Sequence, residues 1–144
     1  MCIRDSLISA DQDIVVNVGS TNGTFDDGTQ SGRDYGIDQI VPVERVGSEY
    51  IFLKGDGYDD IENVVIVVHE DNTAIYINGN STAAATKNAG EYHLIEGTNY
   101  TTDESLYVST SKPVYAFQGI GGTGSAANQA LFLYLPYLVM SQEH

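Results

Sequence analysis

The chain has 144 residues, room for one domain with a real core, and its 42% hydrophobic and 18% charged residues exclude both a disordered chain and a coiled coil. Twenty acidic residues against six basic ones give a net charge of −14, which repels phosphate backbones and leaves no basic stripe, so nucleic acid is excluded as a partner. The longest apolar run, "LFLYLPYLVM" at 131–140, is about half the length that crosses a bilayer and is interrupted by Pro136, so no membrane span is expected.

The opening "MCIRDS" resembles the translation of a transposon-end adapter used in preparing sequencing libraries. Residues 1–6 are therefore read as non-native, and residues 7–144 as a single β domain, a fragment truncated at one or both ends. Cys2, the only cysteine, lies inside the adapter-like stretch, so neither a disulfide framework nor a thiol nucleophile is argued. From there the chain runs in short apolar blocks bounded by turn residues. The pattern predicts strands at 13–18, 37–43, 49–54, 63–69, 73–78, 91–96, 105–109, 113–118 and 131–135. The segment 19–36, dense in Gly, Asp, Ser and Thr, reads as a long surface loop. In "HEDNTAIYING", Asp71-Asn72 lies between two apolar runs and reads as a hairpin turn, with a second turn at Asn78-Gly79. "STAAATKNAG" (81–90) is the one stretch that could form a helical turn. Strands about ten residues apart predict an all-β fold, an antiparallel β-sandwich-like domain with long loops, rather than βαβ units.

The chemistry-like motifs lose their meaning in this context. Gly119, Gly121 and Gly124 form a literal G-x-G-x-x-G after a strand, yet a dinucleotide loop must open a helix that presents its N-terminus to the pyrophosphate. The stretch beyond Gly124, through Leu131, Leu133 and Leu135, alternates like a strand until Pro136, so the glycines read as a loop between two strands. "HEDNT" at 69–73 starts like a zinc-protease helix, but Thr73 stands where the second histidine is required. His69 and His93 read as strand histidines, and His144 lies at the end of the chain. Ser125 in "TGSAA" does not sit in a nucleophile elbow. Asn22, Asn80 and Asn99 begin glycosylation triplets, which mark surface turns. Acids cluster at Asp26, Asp27 and Asp34, and again at Asp56, Asp59, Asp60 and Glu62 in "GDGYDDIE". The second cluster supplies the calcium candidates, although neither stretch has the spacing of a calcium loop and a solvated acidic turn is the plainer reading. No other cofactor is expected, and no catalytic residue is nominated.

The wording of "YGIDQIVPVERVGSEYIFLKGDG", "ENVVIVVHEDNTAIYINGN", "NAGEYHLIEG", "LYVSTSKPVYAFQGIGG" and "ANQALFLYLPYL" resembles the IgGFc-binding protein N-terminal domain family. The likeness is to the versions found in large surface proteins of Bacteroidetes, and its most specific pieces are "DNTAIYING", "NAGEY" and "STSKPVYAFQG". The resemblance implies a secreted or cell-surface β module acting in interaction, with no catalytic residues to carry over. The resulting expectation is a non-enzymatic extracellular recognition or adhesion module of a larger bacterial surface protein, binding a protein or glycan ligand. The alternatives are a structural spacer and a hydrolase-associated accessory domain.

Overall fold

The computed structural model describes residues 8–23, 34–121 and 130–136. Nine strands carry the architecture: β1 (Val16–Gly23), β2 (Asp34–Ile40), β3 (Gly47–Leu53), β4 (Val64–Val68), β5 (Thr73–Ile77), β6 (Ala85–Lys87), β7 (Tyr92–Ile95), β8 (Ser105–Ile120) and β9 (Ala130–Tyr134). Two short 3-10 helices, Val43–Arg45 and Gly97–Asn99, interrupt them. β1 and β2 form a two-stranded antiparallel ribbon, and the other seven make one antiparallel sheet that curls into a nearly closed, barrel-like sandwich. The expected all-β, sandwich-like class is what the chain adopts.

The sheet is organised by β8, a single strand of 16 residues in place of the two strands that the sequence suggests. Its first half lies between β3 and β5, with Tyr50 opposite Val108 and Ile77 opposite Val108. Its second half lies between β9 and β4, with Gln118 opposite both Phe132 and Val64. The partners on both edges change over near Lys112 and Pro113. Proline has no N–H to give to a ladder, and at this handover its missing donor interrupts neither set of pairings.

The same geometry overturns the hairpin expected at Asp71-Asn72. β4 and β5 both run antiparallel to β8, from Val64 opposite Gln118 to Ile77 opposite Val108, so the chain continues in one direction through the break. Asn72 does take the positive φ its type permits, at 56°, but it makes a kink rather than a reversal. Reversal comes at Asn78 and Gly79, with φ of 52° and 72°. The chain then returns as β6, opposite β5, and β7, opposite β4, with a matching break at Asn88 to Glu91. The two breaks are laced together: Asn72 N–H donates to Asn88 Oδ1 (3.1 Å), Ala89 N–H to Asp71 Oδ1 (3.0 Å) and Gly90 N–H to Val68 O (2.9 Å). From the next strand, Lys112 Nζ donates to Asp71 O (2.6 Å). Stretch 81–90, the one segment that could have formed a helical turn, therefore contains a strand, β6. The available β5 edge outweighs the weak helix propensity of a Thr- and Asn-rich segment.

The ribbon corrects two further boundaries. Residues 19–23 and 34–36 of the expected loop are strand, and 24–33, with Asp26 and Asp27, lie outside the described residues. The strand expected over 37–43 stops at Ile40, because Pro42 leads into the 3-10 turn, where Arg45 N–H donates to Pro42 O (2.9 Å).

Alternation along β8 puts Leu106, Val108, Val114, Ala116 and Gln118 inward. The four apolar ones meet Tyr50 and Phe52 from β3, Val64, Ile66 and Val68 from β4, Ile75 from β5 and Ile95 from β7, one core shared by both halves of the bent sheet. Burying each large apolar side chain here contributes roughly 1.5 to 3 kcal/mol. Tyr50 ties the corner. Its hydroxyl donates to Val114 O (2.5 Å), with Gly47 O also nearby (3.1 Å), and accepts from Gly47 N–H (3.0 Å), fixing β3 to β8 where the partners change.

Candidate functional site

Of the four calcium candidates in the acidic loop, Glu62 is an internal structural anchor. Glu62 is completely buried. Its Oε2 accepts from Gly55 N–H (3.0 Å), and its Oε1 accepts from Gly57 N–H (3.0 Å) and Gly121 N–H (3.1 Å). A carboxylate surrounded by amide donors replaces its lost hydration with charge-assisted hydrogen bonds. Gly57 is required by close approach: a Cβ there would lie 2.7 Å from Glu62 Oε1 and 2.9 Å from the Gly121 carbonyl oxygen. Thus one glycine of the nucleotide-like motif, Gly121, gives its N–H to the protein's own carboxylate. Gly119 belongs to β8 and donates to Asn63 O (2.8 Å), while Gly124 lies outside the described residues.

Asp59 is exposed and pairs with Lys54, and Asp56 and Asp60 are exposed. Among the described residues, no group of three or more His, Cys, Asp or Glu side chains is placed to hold a metal ion. Asp34 begins β2. His93 sits within β7 as expected and His69 directly follows β4, while Ser125 and His144 lie outside the described residues.

The side chains that face outward are more informative. On the half of the sheet made by β3, β8 and β5, cross-strand pairing sets Ile51 opposite Tyr107, Leu53 opposite Ser105 and Tyr76 opposite Ser109. Leu53 is 66% and Ile51 45% exposed. The Tyr107 hydroxyl donates to Glu49 Oε1 (2.9 Å), and this hydrogen bond, with a smaller contribution from burial, raises its pKa above the usual phenol range. The Asn78 side chain holds the same strand in place, its Oδ1 accepting from Tyr107 N–H (3.0 Å), so Tyr107 is anchored at backbone and tip. The result is a fixed outer face with apolar side chains at its centre and Glu49, Ser105 and Ser109 around them. The equivalent face on the other half, with Tyr115 and Leu133, is flanked by the β1–β2 ribbon. Tyr115 donates from its hydroxyl to Val41 O (3.0 Å), and Leu133 N–H donates to Asp38 Oδ2 (2.5 Å).

Alternation in "EYIFLK" and "SLYVS" groups Ile51 with Leu53 and separates Tyr107 from Leu106 and Val108, while which face meets the core is set by the fold. The meeting of Ile51 and Tyr107 on neighbouring strands depends on the β3–β8 register, for which the sequence holds no local signal.

The class the described residues define is an all-β antiparallel sandwich with a partly apolar outer face and a buried carboxylate anchor. The chain belongs to the family described as IgGFc binding protein, whose model matches residues 3–140. No curated protein matches the chain, and no solved structure does.

Proposed function

We propose that the domain is a non-catalytic extracellular recognition and adhesion module that binds a protein ligand through the outer face of β3, β8 and β5. One observation carries this reading: exposed Leu53 and Ile51 and half-buried Tyr107 and Tyr76 share the outer face of one sheet, with the Tyr107 hydroxyl held by Glu49. Tyrosine on a rigid strand presents a broad apolar face with a hydrogen-bonding tip and loses little conformational entropy on binding, as protein interfaces favour. The family description supplies the first ligand to try, the Fc portion of immunoglobulin G. The family likeness supports the extracellular placement.

The test is biosensor binding of the purified domain to immobilised Fc, and to mucin and cell-surface protein arrays. Saturable binding that drops about tenfold or more in Ile51→Glu and Tyr107→Ala, with melting temperatures retained, supports the reading. Binding to none of these ligands favours the spacer role, and turnover of a glycan or peptide panel refutes the non-enzymatic assignment.

A further inference from the structure

The outer face of β3, β8 and β5 carries charge of one sign only. Its outward positions, alternating from Glu49 to Leu53, from Ser105 to Ser109 and from Ala74 to Tyr76, include no lysine or arginine. The described bases are directed elsewhere. Lys54 pairs with Asp59 and Lys112 with Glu70, while Lys87, opposite the buried Thr73, lies on the core side of β6. Arg45, in the turn before β3, makes no ion pair among the described residues. Exposed acids stand at both ends of the face: Glu49 at the start of β3, and Glu104 at its end, where Lys54 N–H donates to the Glu104 carbonyl (2.8 Å).

Glu49 is also held in one orientation. Its Oε1 accepts from the Tyr107 hydroxyl (2.9 Å), and its Oε2 has no partner among the described residues. Tyr107 is opposite Ile51, whereas Glu49 is opposite Ser109, so the phenol runs diagonally along the face to reach the carboxylate. A fixed carboxylate, an aromatic ring beside it and the exposed apolar surface of Ile51 and Leu53 thus lie next to one another.

We propose that the protein segment bound by this face presents an arginine, whose guanidinium pairs with Glu49 and lies against the Tyr107 ring while an apolar neighbour covers Ile51 and Leu53. This rests on the reading of the face as the recognition surface. A guanidinium suits the geometry because its donor fork takes a carboxylate edge-on while its flat side stacks on an aromatic ring, and a lysine ammonium offers only the charge. The net charge of −14 favours the approach of a basic segment, and at physiological salt, where screening acts over about 8 Å, the contact with Glu49 supplies the local selectivity.

The experiment is an NMR titration of the isotope-labelled domain at physiological salt with N-acetyl-Leu-Arg-Leu amide and with the same peptide carrying citrulline or lysine in place of arginine. Support is saturable movement of the amides of residues 49, 51, 76, 107 and 109 with the arginine peptide, at about tenfold lower concentration than with its neutral citrulline isostere and with lysine between them. Glu49→Gln, at an exposed position, keeps the melting temperature and weakens the arginine peptide about tenfold, as loss of one charge-assisted contact requires. Four results overturn the proposal: no movement of these amides, citrulline or lysine binding as tightly as arginine, shifts centred on the acidic loop 55–62, or unchanged affinity in a folded Glu49→Gln. A protein ligand that is lost in Ile51→Glu but kept in Glu49→Gln refutes the arginine anchor and leaves the recognition face standing. Peptide binding as expected, with no protein ligand found, supports the anchor and counts against the recognition module.

Discussion

Glu62→Gln probes the internal anchor. The two oxygens of Glu62 accept three backbone N–H groups, from Gly55, Gly57 and Gly121. A glutamine oxygen in the Oε1 position keeps the bonds from Gly57 and Gly121 but weakens each by about 1 kcal/mol, because a charge-assisted bond becomes a neutral one. Its NH2 group then faces the Gly55 N–H, donor against donor, and a buried donor left unmade costs about 1 to 3 kcal/mol. Relief of carboxylate desolvation offsets part of the sum, leaving a net loss of about 3 kcal/mol. For a chain of this size that lowers Tm by roughly 6 to 12 °C, measurable by differential scanning calorimetry. Hydrogen exchange supplies the site-specific check: the amides of Gly55, Gly57 and Gly121 lose protection together, and Glu62→Ala, which removes both acceptors, exceeds Glu62→Gln on both measures. If both variants melt within about 2 °C of the parent, the anchor role is wrong.

Four further outcomes rest on the same geometry. Tyr50→Phe strands the Val114 carbonyl and the Gly47 N–H at the sheet corner, so a loss of about 1 to 2 kcal/mol with an unchanged circular dichroism spectrum is expected in denaturant titrations. The lowered pKa of His93 means that the unfolded chain, titrating near 6.5, takes up a proton before the folded one. Its contribution to stability is therefore intact above that pH and is lost as pH falls through it toward the folded value, and a Tm–pH series flattened in this window by His93→Gln checks the sign. Burial raises the pKa of Tyr50, Tyr100, Tyr115 and Tyr134, with the Glu62 charge adding to the rise at Tyr100. Stability is accordingly held below pH 10 and lost above it, and these phenols ionise late in an absorbance titration, together with unfolding. With Glu62 taken by amides and Asp59 by Lys54, millimolar calcium and excess chelator give melting temperatures within about 1 °C of each other, and a larger calcium-dependent rise revives the acidic loop as a metal site.

The strand blocks at 49–54, 63–69, 73–78 and 91–96 were legible because period-2 alternation is a local property. Each apolar residue in them needs only its own neighbours in the chain to reveal which face it takes. Turn chemistry was legible in part. Asn72 and Asn78 both adopt positive φ, but only the second reverses the chain, since dihedral preference says that the backbone can bend and not which edge it will meet afterwards. Stretch 81–90 was misread for a related reason, its weak propensity being overruled by the exposed edge of β5.

The class of the protein was readable without coordinates: an acidic, all-β module, with a resemblance strong enough to name its family and a glycine motif that lacked the helix a nucleotide needs. The roles of the individual residues came from the fold. β8 is one strand because β3, β4, β5 and β9 all pair with it, in ladders that join residues as distant in the chain as Tyr50 and Val108, or Val64 and Gln118. Glu62 serves as an anchor because Gly121, 59 positions away, delivers an N–H to it. Periodicity and propensity act over a few residues, whereas pairing partners and burial are set by the free energy of the whole sheet, and the functional geometry of this domain lies in those long-range pairings.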